Sequence, residues 1–247
     1  GVDNDCDNLI DEDFVLDRLS TGQDVLFFSE MPVNPQGGST IEPNTEWFEL
    51  TNATDEWLYL DNWVFETEDT ACDPEDPDSC DKFTVFPGSN VMVAPGEAVL
   101  FCRDADTMDG ILGASSCDYN YGSRPDGANP TDSDYHDGTY RLVNANISRL
   151  YVSIKVDEVD EQVDFVDHRA DLSVWPFTTS AFEGLSLNFD GGLIGTGTDM
   201  ADENDDGSNW CHTTNSAYAY DLDVDGPLQH NYGTPGEVNP SCAVADP

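Results

Sequence analysis

The sequence predicts an all-β protein, a sandwich or barrel of short strands, on three observations. Short runs of alternating apolar and polar residues recur along the chain, separated by acidic loops rich in turn-forming residues. No long segment keeps a 3.6-residue period, which disfavours long helices. Hydrophobic residues make up 38% and aromatic residues 11% of the 247 residues, which is enough to build a core.

The predicted strands follow one another at short intervals. They cover residues 24–30, 46–52, 57–60, 63–65, 83–86, 91–93, 98–102, 139–143, 150–154, 162–166 and 185–189. We expect the strands at 150–154 and 162–166 to form a hairpin, and the turn at 94–96 to connect its two neighbouring strands tightly. Residues 103–138 are rich in Asp, Gly, Ser and Pro, which predicts one long loop.

The charge of the chain restricts its partners. There are 51 acidic and 8 basic residues, for a formal net charge of −43. Nucleic acid and bare anionic membranes are excluded as partners, because both are bound by clustered Lys and Arg. No apolar run approaches the length of a membrane span, so we expect no membrane insertion. Asp outnumbers Glu by 36 to 15, which fits either metal-binding loops or the hydrated acidic surface of a protein from a high-salt organism.

Seven cysteines and no CxxC pair indicate disulfides rather than a zinc or thioredoxin-type site. The pairs that their positions suggest are Cys72 with Cys80, Cys102 with Cys117, and Cys211 with Cys242. Disulfides predict an oxidising compartment. The chain begins at Gly1 without Met or a signal peptide, so we expect a mature or excised fragment.

Alternating carboxylates in the first residues predict a calcium site. Calcium binds about six to eight hard oxygen ligands, and alternating Asp side chains bring several of them to one point. The predicted ligands in this loop are Asp3, Asp5, Asp7, Leu9, Asp11 and Asp13. Two carboxylates ~5 Å apart repel by roughly 3 kcal/mol at an effective dielectric of about 20, so their convergence favours a bound cation.

Two further loops carry the same pattern, a DxDxDG motif and a DxNxDG motif. Their predicted ligands are Asp221, Asp223 and Asp225 in the first, and Asp202, Asn204 and Asp206 in the second. No loop has the bidentate Glu or the helix pair of an EF-hand, so we expect weak affinity, ~10⁻⁴–10⁻³ M. The alternative for each loop is a solvated acidic turn without metal.

Catalytic motifs are missing from the sequence. There is no GxSxG and no Walker loop, and the four histidines are dispersed without HxH or HExxH spacing. We therefore predict that the chain is not an enzyme. The five tryptophans have the chemistry to stack on sugars, but most lie inside strand patterns, which predicts core positions.

Several segments, in the order in which they occur, resemble the lamin tail domain of the bacterial type. They are VLFFSE at 25–30, EWFELTN at 46–52, LDNW at 60–63, VAPG at 93–96, GLSL at 184–187, GSNW at 207–210 and GTPGEVN at 233–239. The resemblance spans roughly residues 24–239. It implies an immunoglobulin-like β-sandwich in a secreted or surface module without catalytic machinery. The acidic insertions at 66–82 and 103–138 depart from the family pattern.

The N-terminal segment GVDNDCDNLIDED, residues 1–13, is similar to the metal-binding repeat of MopE-like bacterial surface proteins. That resemblance implies a partner for Cys6 just upstream of this fragment, and Asn8 stands where the repeat usually has Gly. We accordingly divide the chain into an acidic metal-binding extension at 1–19 and a lamin-tail-like sandwich at 20–247.

The leading functional hypothesis is a calcium-binding, disulfide-stabilised structural or adhesive module, secreted or at a bacterial cell surface. Self-association through edge strands or calcium bridges is part of that hypothesis. The alternative is a carbohydrate- or protein-binding accessory module of a secreted enzyme, which exposed tryptophans would favour.

Overall fold

A computed structural model describes both main sheets of the chain and the segments that cover them. The described residues are 12–20, 22–32, 35, 45–68, 81–106, 108, 117–122, 140, 142, 149–156, 159–167, 175, 184–195, 199–213, 219–222 and 229–242. None of the helices in these ranges is long and apolar enough to cross a membrane.

Nearly all regular structure in the described residues is β-strand. The strands are β1 Leu26–Pro32, β2 Trp47–Asn52, β3 Leu58–Tyr59, β4 Trp63–Glu68, β5 Asp81–Thr84, β6 Met92–Val93, β7 Ala98–Cys102, β8 Tyr119–Asn120, β9 Arg149–Val156, β10 Val159–Asp167, β11 Ser186–Phe189, β12 Trp210–His212, β13 Ala219–Leu222 and β14 Gln229–Tyr232. The helices are α1 Glu12–Ser20 and α2 Met200–Glu203, and a 3-10 turn spans Gly207–Asn209.

Two sheets form a sandwich. One has six strands in the order β12-β11-β1-β2-β7-β8, and the other has four in the order β10-β9-β4-β5. All pairings within them are antiparallel except that of β7 with β8. Two small sheets, β3–β6 and β13–β14, complete the described set. The predicted all-β sandwich is confirmed.

The core between the sheets is aromatic. Phe48 and Phe101 from the six-stranded sheet stack at 5.1 Å, and Phe65 and Phe83 from the four-stranded sheet stack at 5.0 Å. Phe65 also lies 4.6 Å from Phe101, which joins the two layers. Fully burying such a side chain contributes about 1.5–3 kcal/mol, so this cluster contributes strongly to the cohesion between the sheets.

The strand predictions hold best where strands are long and apolar. The predicted hairpin is confirmed, since β9 and β10 pair antiparallel from Arg149–Asp167 to Val156–Val159 with one bulge. The turn at 94–96 is also tight, with Glu97 N donating to Ala94 O at 3.0 Å and Gly96 at φ +70°. Its flanking strands, however, belong to different sheets, because β6 pairs with β3 and β7 pairs with β2.

Sequence reasoning missed four short strands, β8, β12, β13 and β14. Each has two to four residues, and β14, with the sequence QHNY, has no apolar alternation. Within the segment predicted as one loop at 103–138, residues 119–120 pair with β7. Of the predicted strand at 139–143, only Tyr140 and Leu142 are described, and both are buried. The strand itself stays a prediction.

The helix α1 lies across the predicted division at residue 19. Its Val15 is buried and belongs to the main core cluster. Its C-terminal end is closed by hydrogen bonds from Gly22 N to Leu19 O at 3.0 Å and from Gln23 N to Arg18 O at 2.9 Å. The helix therefore packs with the sandwich rather than standing apart from it.

Two of the three predicted disulfides are confirmed. Cys102 pairs with Cys117 and Cys211 pairs with Cys242, with Cα–Cα distances of 5.8 and 5.6 Å. Cys72 and Cys80 lie outside the described residues, so their pairing stays a prediction. Disulfides persist in oxidising surroundings, which indicates a compartment other than the reducing cytosol.

Candidate functional site

Part of the outer face of the six-stranded sheet, on β1, β2 and β11, is polar and yet buried, next to an apolar cluster around Trp47 and Leu100. Ser29, Glu30, Glu49, Ser186 and Asn188 are each at most 1% exposed. A segment that we call the C-terminal strap, residues 233–242, crosses above them and is joined to them by hydrogen bonds. The sheet is therefore covered on both faces.

Glu30 anchors the first part of the strap. Its carboxylate accepts hydrogen bonds from the backbone N–H of Thr234 at 3.0 and 3.1 Å and from the Thr234 hydroxyl at 2.8 Å. It also accepts one from the hydroxyl of Ser186 on the neighbouring strand. A Cβ on Gly233 would lie 3.0 Å from Glu30 Oε1, so the close approach of the strap favours glycine there.

Glu49 anchors the middle of the strap. Its Oε2 accepts a hydrogen bond from Gly236 N at 2.7 Å, and its Oε1 accepts one from the Ser29 hydroxyl at 2.8 Å. Asn239 Nδ2 then donates to Ser29 O at 2.7 Å. Two carboxylates from adjacent strands thus hold a segment about two hundred residues away in sequence.

The end of the strap is fixed covalently and by backbone bonds. Cys242 is bonded to Cys211 of β12, and its N–H donates to Asp190 Oδ1 at 3.0 Å. Gly191 N donates to Pro240 O at 3.1 Å. A Cβ at Gly191 would lie 1.8 Å from Asn239 O, so this contact requires glycine.

Burial makes the two anchoring carboxylates unusually weak acids. Desolvation raises the pKa of Glu30 to about 7, opposed by its hydrogen bonds to Ser186 and Thr234. Desolvation, followed by repulsion from Glu30, raises the pKa of Glu49 to about 8. The pair therefore retains a proton near neutral pH, when exposed carboxylates have lost theirs.

A shallow cleft of about 130 Å³ lies beside the strap. Its walls include Glu49, Thr51, Glu97, Gly236 and Val238. Pockets for drug-sized ligands are larger, about 300–1,000 Å³. Because both oxygens of Glu49 already accept hydrogen bonds, the buried acid pair holds the strap and does not present a free carboxylate to the cleft.

A further buried carboxylate, Asp164 of β10, joins the two sheets. Its Oδ2 accepts hydrogen bonds from Phe28 N at 2.7 Å and from Asn204 Nδ2 at 2.9 Å. Asn204 Nδ2 also donates to Phe28 O at 3.1 Å. Burial raises the pKa of Asp164 well above its ordinary value.

One of the predicted ligands at 202–206, Asn204, takes part in this contact between Asp164 and Phe28, and Asp202 and Asp206 flank it in sequence. Asp202 and Asp206 are exposed, and Asp206 Oδ1 accepts a hydrogen bond from Ser208 N at 2.9 Å. Asn204 is fully buried, and its Oδ1 accepts no hydrogen bond among the described residues. No cluster of three or more His, Cys, Asp or Glu with metal-site geometry occurs in the described part of the chain.

Another carboxyl contact lies where α2 begins. Asp24, just before β1, accepts hydrogen bonds from the N–H groups of Met200 and Ala201. Burial and a hydrogen bond with the Asp199 carboxyl raise the pKa of Asp24 to about 7. The two backbone donors, Met200 N and Ala201 N, join Asp24 to the start of α2.

The other predicted metal ligands are described only in part. Asp221 lies in β13 opposite His230 of β14, and residues 223–228 connect these two strands. Asp223 and Asp225 lie outside the described residues, as do Asp3, Asp5, Asp7, Leu9 and Asp11. Asp13 lies in α1, and its side chain is not among those described. These ligands stay predictions.

Sequence reasoning did not single out Glu30, Glu49 or Asp164. An acidic residue inside an alternating strand normally faces solvent, so the pattern alone assigns all three to a wet surface. The GTPGEVN segment that covers Glu30 and Glu49 is far from them in sequence, and its composition does not indicate which surface it covers.

Four of the five tryptophans, Trp47, Trp63, Trp175 and Trp210, are buried as predicted, but Trp57 is 53% exposed. Trp57 precedes β3 and Tyr59 lies in it, so alternation places both side chains on one face. Met92 of β6 pairs with Tyr59 across the ladder and is 45% exposed. We call these three residues the Trp57 platform. Leu58 and Val93, on the opposite face, are buried.

No protein-family model matches the sequence, and no curated protein matches it. Among solved structures, the chain is similar to a DUF4876 family protein from Bacteroides thetaiotaomicron, with a TM-score of 0.42 and 14% sequence identity. The similarity covers 68% of this chain and 63% of that protein, so the chain spans less than two thirds of its length.

Proposed function

We propose that this chain is a calcium-binding, disulfide-stabilised structural or adhesive module of a bacterial extracellular or cell-surface protein, related to lamin tail domains. The observation that carries the proposal is a net charge of −43 on a disulfide-fastened sandwich whose Asp-rich loops repeat one pattern. A divalent cation among converging carboxylates removes their mutual repulsion. The proposal assigns no catalytic activity, and it includes self-association through edge strands or calcium bridges.

Two features of the described residues support calcium at the predicted loops. Asn204 Oδ1 is a buried oxygen that accepts no hydrogen bond among the described residues, with exposed Asp202 and Asp206 on either side in sequence. A hard cation, or a water bound to it, would satisfy that oxygen. The first residue of the motif at 221–226, Asp221, lies in β13 opposite His230 of β14, in a small two-stranded sheet beside the two main sheets rather than within them.

Thermal unfolding at constant ionic strength tests the proposal. Calcium at ~5 mM and a Kd of ~10⁻⁴ M would stabilise each site by about 2 kcal/mol. We expect an increase in Tm of about 4–8 °C per site, reversed by EGTA and reduced in the double variant Asp5→Asn, Asp223→Asn. The matched control is Asp55→Asn, an exposed acid outside the loop motifs. Equal stabilisation by KCl and CaCl₂ would contradict the proposal and favour an acidic surface adapted to high salt.

The exposure of Trp57 favours a second candidate, a carbohydrate- or protein-binding accessory module. Isolated surface tryptophans are costly to leave in water and recur at binding sites. Quenching of tryptophan fluorescence on titration with a ligand tests this candidate, since the other four tryptophans are buried. A quench that persists in Trp57→Ala would assign the binding elsewhere.

A further inference from the structure

The Trp57 platform is presented by a rigid segment. Asn52, which is buried, donates from Nδ2 to Glu56 O at 2.8 Å and to Val93 O at 3.1 Å. Its Oδ1 accepts hydrogen bonds from the N–H and the hydroxyl of Thr54, both at 2.8 Å. The backbone leading to Trp57 is thus fixed to β6 before any ligand arrives, which lowers the entropic cost of binding.

The surroundings of the platform are acidic. Asp55 and Glu56, which immediately precede Trp57, are exposed, and so is Glu97 after the turn that follows β6. The sequence has no Lys or Arg between Arg18 and Lys82, and none between Lys82 and Arg103. With a net charge of −43 on the chain, this face attracts cations and repels polyanions and second copies of itself at low salt.

We infer that the Trp57 platform docks a Lys- or Arg-bearing segment of another protein, with the cationic group over the Trp57 ring and its charge balanced by Asp55 and Glu56. Tryptophan is the best cation–π acceptor among the side chains, and Met92 supplies an adaptable apolar neighbour. A neutral sugar could stack on the Trp57 ring, but it carries no positive charge for the carboxylates to attract. This inference deepens the binding-module candidate and does not depend on calcium.

Binding of synthetic peptides to the whole chain tests the inference. The probe is a short flexible peptide with three Arg residues, its control replaces each Arg by Gln, and neutral cello- and chito-oligosaccharides form a second arm. We expect the Arg peptide to bind and the Gln peptide and sugars not to bind. Trp57→Ala should weaken Arg-peptide binding by about five- to tenfold, and Trp57→Phe by less.

The matched control is Val238→Ala, which removes another exposed apolar side chain, 82% exposed, at the cleft. It should leave peptide binding unchanged. Equal affinity of wild type and Trp57→Ala would overturn the inference, because it would show attraction to the general negative charge only. Sugar binding lost in Trp57→Ala, or no Arg-peptide binding at millimolar concentration, would overturn it as well. Repeating the titration in EGTA separates this result from the calcium proposal.

Discussion

The two faces of the six-stranded sheet are equally buried and are stabilised in opposite ways. The inner face carries aromatic rings such as Phe48 and Phe101 that pack against the second sheet. The outer face carries Glu30 and Glu49, which hold the C-terminal strap by hydrogen bonds. Apolar packing does not depend on pH, whereas buried carboxylates make the outer face sensitive to it. The comparison teaches that burial alone does not identify how a surface is stabilised.

The largest effect is expected on the inner face. Phe48→Ala removes a ring that contacts Phe28, Phe65, Phe83, Phe101, Tyr121 and Tyr140. We expect a loss of about 3–5 kcal/mol in the free energy of unfolding, because a cavity opens in the core. Urea unfolding measures it, and Met92→Ala, which shortens an exposed side chain, is the control. A loss below about 1 kcal/mol would show that the sheets do not depend on this cluster.

On the outer face, the disulfide of the strap should have the next largest effect. The double variant Cys211→Ser, Cys242→Ser opens a covalent loop with a sequence separation of 31. Loss of the loop constraint should lower the free energy of unfolding by about 3–4 kcal/mol. Limited proteolysis should then cut within 233–242 first. Cleavage elsewhere, with the strap still protected, would mean that the carboxylate anchors suffice without the disulfide.

A pH dependence should arise from the buried carboxyls, namely Glu30 and Glu49 on the outer face together with Asp164 and Asp24 elsewhere. Glu30 and Glu49 have folded pKa values of about 7 and about 8, against 4.5 for an ordinary glutamate. Between those values the folded chain holds more protons than the unfolded chain, so stability is greatest at low pH and falls as the pH rises. The slope is at most about 1.4 kcal/mol per pH unit for each proton.

Unfolding between pH 5.5 and 8 measures this slope, because exposed carboxylates are already ionised there. Glu49→Gln should reduce the slope by the contribution of one group, since the amide oxygen can accept from Gly236 N while the NH₂ group donates to the Ser29 hydroxyl. Glu97→Gln, at an exposed carboxylate on the same cleft, is the control and should keep the slope. A wild-type curve that rises with pH would refute the assignment.

The smallest effect is expected for a single hydroxyl. Thr234→Val removes the hydroxyl that donates to Glu30 Oε2 at 2.8 Å while preserving the shape of the side chain. We expect a loss of about 1–2 kcal/mol, larger at pH 8 than at pH 5.5, because an ionised acceptor forms the stronger bond. Thr234→Ser retains the hydroxyl and serves as the control.

The same contrast explains what the sequence could predict. Alternation places Phe48 and Leu50 inward, and local spacing pairs Cys102 with Cys117, since both signals act over a few residues. The contact between Glu30 and Thr234 spans 204 residues, and nothing local to either residue indicates it. Alternation alone would likewise leave Glu49 in solvent, because it carries no information on the distant strap that covers it. Trp57 was assigned to the core by its strand pattern, although it lies on the open face of a two-stranded sheet.

A crystal structure of the chain grown with ~10 mM CaCl₂ tests the central claim, that calcium neutralises the Asp-rich loops, most directly. We predict ions in the loops at 3–13, 202–206 and 221–225, each with about six to eight oxygen ligands at ~2.3–2.6 Å. Asn204 Oδ1 should be bound directly or through one water. Well-ordered loops without an ion at any of the three positions would contradict the account.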